Sequence, residues 1–162
     1  MLCVRNSKPC AAALGIADHV HFLGTRRDVP DLLAHTNVLA LSSHMEANPV
    51  SILEGLACGK PVVATRVGSI PETVHEGTSG HLTPAGDAAA MAEKLGDLLL
   101  DRERAEKMGA VGRQHVVDFW SLERMVDGYQ NLIKTTYFNK LPHLGRPAGQ
   151  TTPCEPPQMA EI

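Results

Sequence analysis

Aromatic residues are scarce: Phe, Trp and Tyr supply 4% of the 162 residues, so Val, Leu, Ile, Ala and Met must fill any core. Excess charge of one sign is also missing. Fifteen Lys and Arg face 18 Asp and Glu, for a net charge of −3, and no basic stripe gathers along the chain. The electrostatic footprint of a nucleic-acid binder is therefore absent. Cys3, Cys10, Cys58 and Cys154 show no C-x-x-C spacing. That argues against a zinc or disulfide framework and for reduced thiols in a cytoplasmic protein. No apolar run approaches the ~20 residues that a membrane span needs, and no signal-peptide pattern is expected. No Asp-x-Asp pair occurs, so no metal cofactor is called for. Internal repeats are lacking as well.

What is present is a soluble globular composition, 43% hydrophobic, in a length that suits one domain. The stretch from Ser42 to Thr65 organises it. The apolar run Asn37–Leu41 reads as a buried strand and Ser42–Ala47 as a loop. Asn48 is placed to cap a helix, with Pro49 in its first position. Val50, Leu53 and Ala57 fall on one helical face, with Ile52 and Leu56 beside it. Gly59 ends the helix, Lys60–Pro61 turns the chain, and Val62–Ala64 reads as another buried strand. Strand, helix and strand in this order predict a parallel, Rossmann-like α/β sheet flanked by helices.

The remaining chain fits that class. Strands are expected near Val20–Leu23, Val38–Leu41, Val62–Ala64 and Gly80–Leu82. Met1–Val4 reads as a strand remnant broken by Arg5–Pro9, and Cys10–Leu14 as a short helical piece. His19 and His21 share one face of the first expected strand, but no third ligand accompanies them, so we read them as structural. Asp28 can cap a short helix through His35, and Pro71 opens another. His81 is expected at the surface or at a sheet edge. Three helices follow: Ala88–Leu100 with Met91, Leu95, Leu98 and Leu99 inward; Asp101–Phe119, where Gly109 and Gly112 suggest close packing or a bend; and one capped by Ser121, with Met125, Tyr129, Leu132 and Ile133 on one side. Proline punctuation then replaces helical pattern. The division is residues 1–17 as an N-terminal remnant, 18–139 as the domain, and 140–162 as a disordered tail.

The chemistry gathers at the loop-to-helix junction. Leading amides of a helix have no partner within it, so those of Val50 and Ser51 offer an anion site. Glu46 stands just before the junction. Glu54 lies inside the helix and borders its apolar face, where a carboxylate needs hydrogen-bond donors; a sugar diol would supply them.

Glu46 and Glu54, with seven residues between them, resemble the E-x7-E motif of the retaining glycosyltransferases of family 4, the group 1 glycosyl transferases with the GT-B fold. The flanks agree. They are Ser43-x-x-Glu46, the helix end Leu53-Glu54-Gly55-Leu56-Ala57-Cys58-Gly59, the strand Pro61–Thr65, and Val67-Gly68-Ser69-Ile70-Pro71-Glu72, similar to the family's Gly-Gly-x-Pro-Glu loop. The resemblance spans about Asp18 to Phe138, with roughly ±4 residues at each end. It implies a nucleotide-sugar donor as substrate and no cofactor. Glu54 would take the ribose diol and Glu46 the hexose and its reacting end. Ala47, Asn48, Pro49 and Val50 would line the sugar or diphosphate.

Three departures accompany it, the first being Val67 in place of the first Gly of the Gly-Gly-x-Pro-Glu loop. Ala47-Asn48-Pro49 replaces the family's usual Gly-x-Gly, and the basic Arg/Lys pair that clamps the diphosphate has no match before Asp18. The acceptor-binding N-terminal domain is expected to be absent, so that membrane contact would come only through the acceptor or that domain. The implied activity is transfer of a hexose, with retention, to a glycan or lipid-linked acceptor. Two alternatives stand beside it: a truncated, non-catalytic α/β binding module, and a GT-B sugar-nucleotide epimerase. The epimerase would want His and acidic residues for proton shuttling, and Ser43-x-x-Glu46 speaks against it.

Overall fold

A computed structural model describes residues 2–140 of the chain. Strands β1 (Leu39–Leu41), β2 (Val62–Thr65) and β3 (Gly80–Thr83) form a parallel sheet in the order β1-β2-β3. Leu39 pairs with Val62, and Val62 with Gly80. Around the sheet run α1 (Leu2–Ala13), α2 (Val29–Ala34), α3 (Val50–Ala57), α4 (Ile70–Thr73), α5 (Ala88–Leu100), α6 (Arg102–Phe119) and α7 (Leu122–Lys140). This is the expected parallel α/β architecture.

β2 lies between the other strands and is buried at all four positions. Successive strand side chains point to opposite faces. Val62 and Ala64 pack with Ile52 and Leu56 of α3, with Ile70 and Val74, and with Val116 of α6. Val63 points the other way, to Leu98 of α5 and to Ala105 and Met108 of α6. The expected close packing of α6 is present. A Cβ on Gly109 would overlap the carbonyl of Gly59, and one on Gly112 would press on Leu56 and Ser79. The Arg113 guanidinium also donates to the Ala57 carbonyl at the end of α3.

Several expectations are corrected. Val20–Leu23 forms no strand: Val20 is extended, but the segment has no ladder, and Phe22 and Leu23 are exposed. Alternation made it extended; only a hydrogen-bonding neighbour makes a strand. Of the expected strand remnant Met1–Val4, Met1 lies outside the described residues and Leu2–Val4 instead start α1, which carries Pro9 inside it. Without a strand to pair with, the backbone satisfies itself locally, and Pro9 forfeits one helical bond. Leu99 is 60% exposed, and only Leu98 of the four expected inward residues of α5 is fully buried. Asp28 makes no side-chain cap; its carboxylate takes the Arg26 guanidinium, which lowers its pKa. The apolar residues Met125, Tyr129, Leu132 and Ile133 of α7 do share a side, yet all are exposed. The expected disordered tail falls, beyond Lys140, outside the described residues.

His81 lies on the outer strand β3, where an edge position is met, but its side chain is buried rather than at the surface. Its Nδ1 donates to Glu76 Oε1 at 2.7 Å, and Arg104 approaches Nε2 at 3.4 Å. A guanidinium can only donate, so Nε2 accepts and the tautomer follows. Glu76 Oε2 takes the backbone N–H of Leu82 at 2.7 Å, which covers part of the outer edge of β3. Burial raises the Glu76 pKa, but the bonds from His81 and Leu82 and the charge of Arg66 outweigh it and hold the carboxyl below its usual range.

Two predictions follow from this packing. Gly109→Ala should cost about 1–3 kcal/mol, since a methyl group meets backbone that cannot yield. Gly96→Ala in α5 meets nothing within 4 Å and should stabilise by up to about 1 kcal/mol. Equal melting temperatures for the two variants would contradict the packing. The second concerns His115, whose ring lies 4.4 Å from that of His75 and 4.9 Å from that of Phe119, with Nε2 buried and unpartnered. Burial, and then the neighbouring His75, push its pKa below the ordinary 6.5. The unfolded chain therefore binds this proton more readily. Stability is complete above pH 6.5 and falls as pH drops from there toward the folded value. Melting curves between about pH 7.5 and 5.5 should show a larger loss for wild type than for His115→Phe; parallel losses would refute the assignment.

Candidate functional site

The site is built where β1 gives way to α3. Ser42 to Pro49 crosses the C-terminal edge of the sheet, the edge at which open α/β sheets bind ligands. Asn48 does not cap the helix, contrary to expectation, and Pro49 is not its first residue. Pro49 is itself the N-cap, buried and extended at φ −75° and ψ 104°, with no side-chain cap bond. Proline has no side-chain acceptor to offer. Its carbonyl takes the Ile52 N–H at 3.0 Å, and the amides of Val50 and Ser51 are left without a side-chain cap. The positive end of the helix dipole therefore opens directly onto the loop.

Glu46 is held from several sides. Ser43 Oγ donates to its Oε1 at 2.6 Å, and Thr65 Oγ1, at the end of β2, donates to the Ser43 carbonyl at 2.6 Å. Ser69 Oγ donates to the Ala47 carbonyl. Gly68, at φ 55°, passes so close to the Glu46 carbonyl that a Cβ would overlap it. The turn after β3 joins them: His44 Cε1 lies 3.6 Å from where a Gly86 Cβ would stand. The loops after all three strands thus meet at one edge. Sequence reasoning named Glu46 and the Gly68 loop but missed the roles of Thr65 and Ser69, which are ordinary residues until the register brings β2 beside β1.

Glu54, expected to border the apolar face of α3, is exposed. The buried side of α3 is Ile52, Gly55 and Leu56, while Val50 is 61% exposed. The core stripe is rotated from the Val50–Leu53–Ala57 line because Gly55 admits the side chain of Leu39. Glu54 lies one turn after Val50, the spacing of side chains on a shared surface. Its carboxylate makes no hydrogen bond or ion pair among the described residues, while its backbone carbonyl takes the Cys58 N–H at 3.0 Å. Glu46, Ala47, Asn48, Pro49 and Val50 are contiguous at the helix start, and Glu54 stands free beside them on the solvent side. Two hollows, of about 520 and 310 Å³, lie elsewhere, around Thr78, Arg104 and Lys107 and around His35, Lys60 and Arg102. Neither is lined by Glu46, Asn48 or Glu54. No group of three or more His, Cys, Asp or Glu among the described residues is placed to hold a metal. No described helix is long and apolar enough to cross a membrane.

The family model of the glycosyl transferases group 1 matches residues 5–115. The chain belongs to this family. As a group 1 glycosyl transferase it is 37% identical, over 119 residues, to the N-acetyl-alpha-D-glucosaminyl L-malate synthase of Bacillus anthracis; the match covers 74% of this chain and 31% of that protein. It is 38% identical over 122 residues to the GDP-mannose-dependent alpha-(1-6)-phosphatidylinositol monomannoside mannosyltransferase of Mycolicibacterium smegmatis, covering 68% of this chain and 31% of the relative. The chain therefore spans about a third of the length of these relatives. Among solved structures, Anabaena HepE in complex with UDP is similar at a TM-score of 0.74 and 28% identity, over 83% of this chain and 36% of that one. Structural neighbours of this kind are GT-B glycosyltransferases, so the α/β unit is part of that fold.

Gly68→Ala tests how the glycosyl transferase loop is held. The substitution meets both a positive φ and the Glu46 backbone, so it should lower the melting temperature by several degrees and speed amide exchange across Ser43–Asn48. Unchanged exchange in that segment would show that Gly68 does not support the loop.

Proposed function

We propose that this chain is the donor-binding part of a retaining hexosyltransferase, one that takes a hexose from a nucleotide sugar. The observation that carries the reading is the uncapped start of α3 placed directly after the braced Glu46 loop. A helix N-terminus favours a diphosphate, and favours it more as the phosphate gains charge on leaving. Pro49 has no N–H, so the amide donors are those of Ala47, Asn48, Val50 and Ser51. Glu54, exposed and unpaired beside them, takes the ribose diol. Glu46 faces the hexose and its reacting end.

No described protein group is set as a nucleophile toward the sugar. Retention then comes from attack on the face the leaving group vacates, or through a short-lived ion pair. The acceptor, a glycan or a lipid-linked molecule, sits on a second domain, and the cleft closes between the two. The enzyme works in the cytoplasm and touches a membrane only through that acceptor or domain. Support for the donor class comes from the relatives: HepE is solved with UDP and with UDP-glucose, and the mycobacterial relative is named as GDP-mannose-dependent.

Calorimetry with UDP, UDP-glucose, GDP and GDP-mannose tests this. One of the two pairs should bind. Glu54→Ala should weaken both members of that pair by about 2 kcal/mol, roughly thirtyfold, since a charge-assisted hydrogen bond is lost. Equal affinities for wild type and variant would remove Glu54 from the ribose. A transfer assay adds a second expectation. Positioning of donor and acceptor is worth ~7–11 kcal/mol of barrier, and the described residues contain no second α/β unit to hold an acceptor. The chain by itself should transfer little or no sugar across a broad acceptor panel; transfer at the rate of a complete enzyme would contradict that.

A further inference from the structure

We propose that Ser43 is a positioning residue for Glu46, one that fixes which oxygen of its carboxylate meets the hexose. The inference rests on the donor reading above and concerns only its sugar half. A carboxylate accepts at two oxygens and donates at neither. Ser43 Oγ occupies Oε1 at 2.6 Å, within the range of a short O–H···O⁻ bond. Oε2 remains for a donor from outside, and a sugar hydroxyl is such a donor.

A hydroxyl three residues from a carboxylate is often only a local turn contact. Here the serine is itself anchored. Its backbone carbonyl takes the Thr65 hydroxyl at 2.6 Å, and Thr65 is 2% exposed at the end of the fully buried strand β2. The hydroxyl that orients Glu46 is thus referenced to the core of the sheet. On the far side of Glu46, its own carbonyl lies against Gly68 and the Ala47 carbonyl is held by Ser69. The backbone is pinned before and after the glutamate, and Ser43 removes the freedom that remains, rotation of the side chain. A sugar then meets an acceptor already aimed, without ordering a flexible side chain on binding.

Orientation of Glu46 acts on the sugar and leaves the nucleotide alone, which separates positioning from a general structural role. The test is calorimetry of the purified chain with UDP against UDP-glucose and GDP against GDP-mannose, using wild type, Ser43→Ala, Ser43→Thr, Thr65→Val and Glu46→Ala. Ser43→Ala should shift the ratio of sugar-nucleotide to diphosphate affinity against the sugar by about fivefold to tenfold, with the bare diphosphate bound nearly as before. Ser43→Thr keeps the hydroxyl and should restore the ratio. Thr65→Val releases the anchor and should shift the ratio in the same direction. If Ser43→Ala leaves the ratio unchanged while Glu46→Ala moves it, the positioning role is overturned and the donor reading stands. If Glu46→Ala also leaves it unchanged, Glu46 does not face the sugar and Ser43 has nothing to position. If wild type binds neither pair, the donor reading itself falls.

Discussion

The constraint on which this structure depends is the burial of β2 on both faces while it is paired in parallel on both edges. A strand with Val62 and Ala64 packed toward α3, α4 and α6, and Val63 toward α5, has no freedom to slip. A shift of one residue would exchange the two faces. Because both neighbours run parallel to it, the ends of all three strands point to the same edge. The loops after them must then share that edge. Thr65 ends β2, Gly68 and Ser69 follow it, and together they grip the segment that follows β1. The position of Glu46 is therefore a consequence of sheet register, reached through four or five ordinary contacts.

At the same edge α3 begins without a cap. Most helices satisfy their first amides with a Ser, Thr, Asp or Asn side chain, and a cap is worth ~1 kcal/mol. Here a proline holds the cap position and the helix forgoes that stabilisation. The interior of α3 makes up for it: Ile52 and Leu56 are fully buried, and Gly112 lets α6 come close to Leu56. A helix anchored at its middle by packing can leave its start open. That openness, beside the exposed Glu54 carboxylate, is what the proposed donor site would use.

The parts legible in the sequence were those whose signal is local and repeated. The strands at Leu39–Leu41, Val62–Thr65 and Gly80–Thr83 were short apolar runs bounded by glycine, proline or serine, and α3, α5 and α6 carried helical periodicity. The family was legible because Glu46, Glu54 and their flanks form one ordered set. What escaped depended on partners. Val20–Leu23 alternates like a strand, yet being a strand requires a neighbour. His81 looked like a surface residue because nothing local shows that Glu76 and Arg104 complete its hydrogen bonds. The rotation of α3 escaped because Gly55 accommodates Leu39 from a different element. Asn48 is not the cap because Pro49 takes the extended N-cap conformation at ψ 104°, so the helix starts one residue later than the local pattern indicates.

In the proposed donor site, the start of α3 and the Glu46 loop bind the donor's diphosphate and sugar. Backbone amide chemical shifts, followed by NMR as UDP-glucose or GDP-mannose is added, test it most directly. The account predicts that the largest changes fall on Ala47, Asn48, Val50 and Ser51, with smaller ones at Glu54, Gly68 and Ser69. Saturable changes confined to the hollow lined by Thr78, Arg104 and Lys107, with the amides of Val50 and Ser51 unmoved, would contradict it.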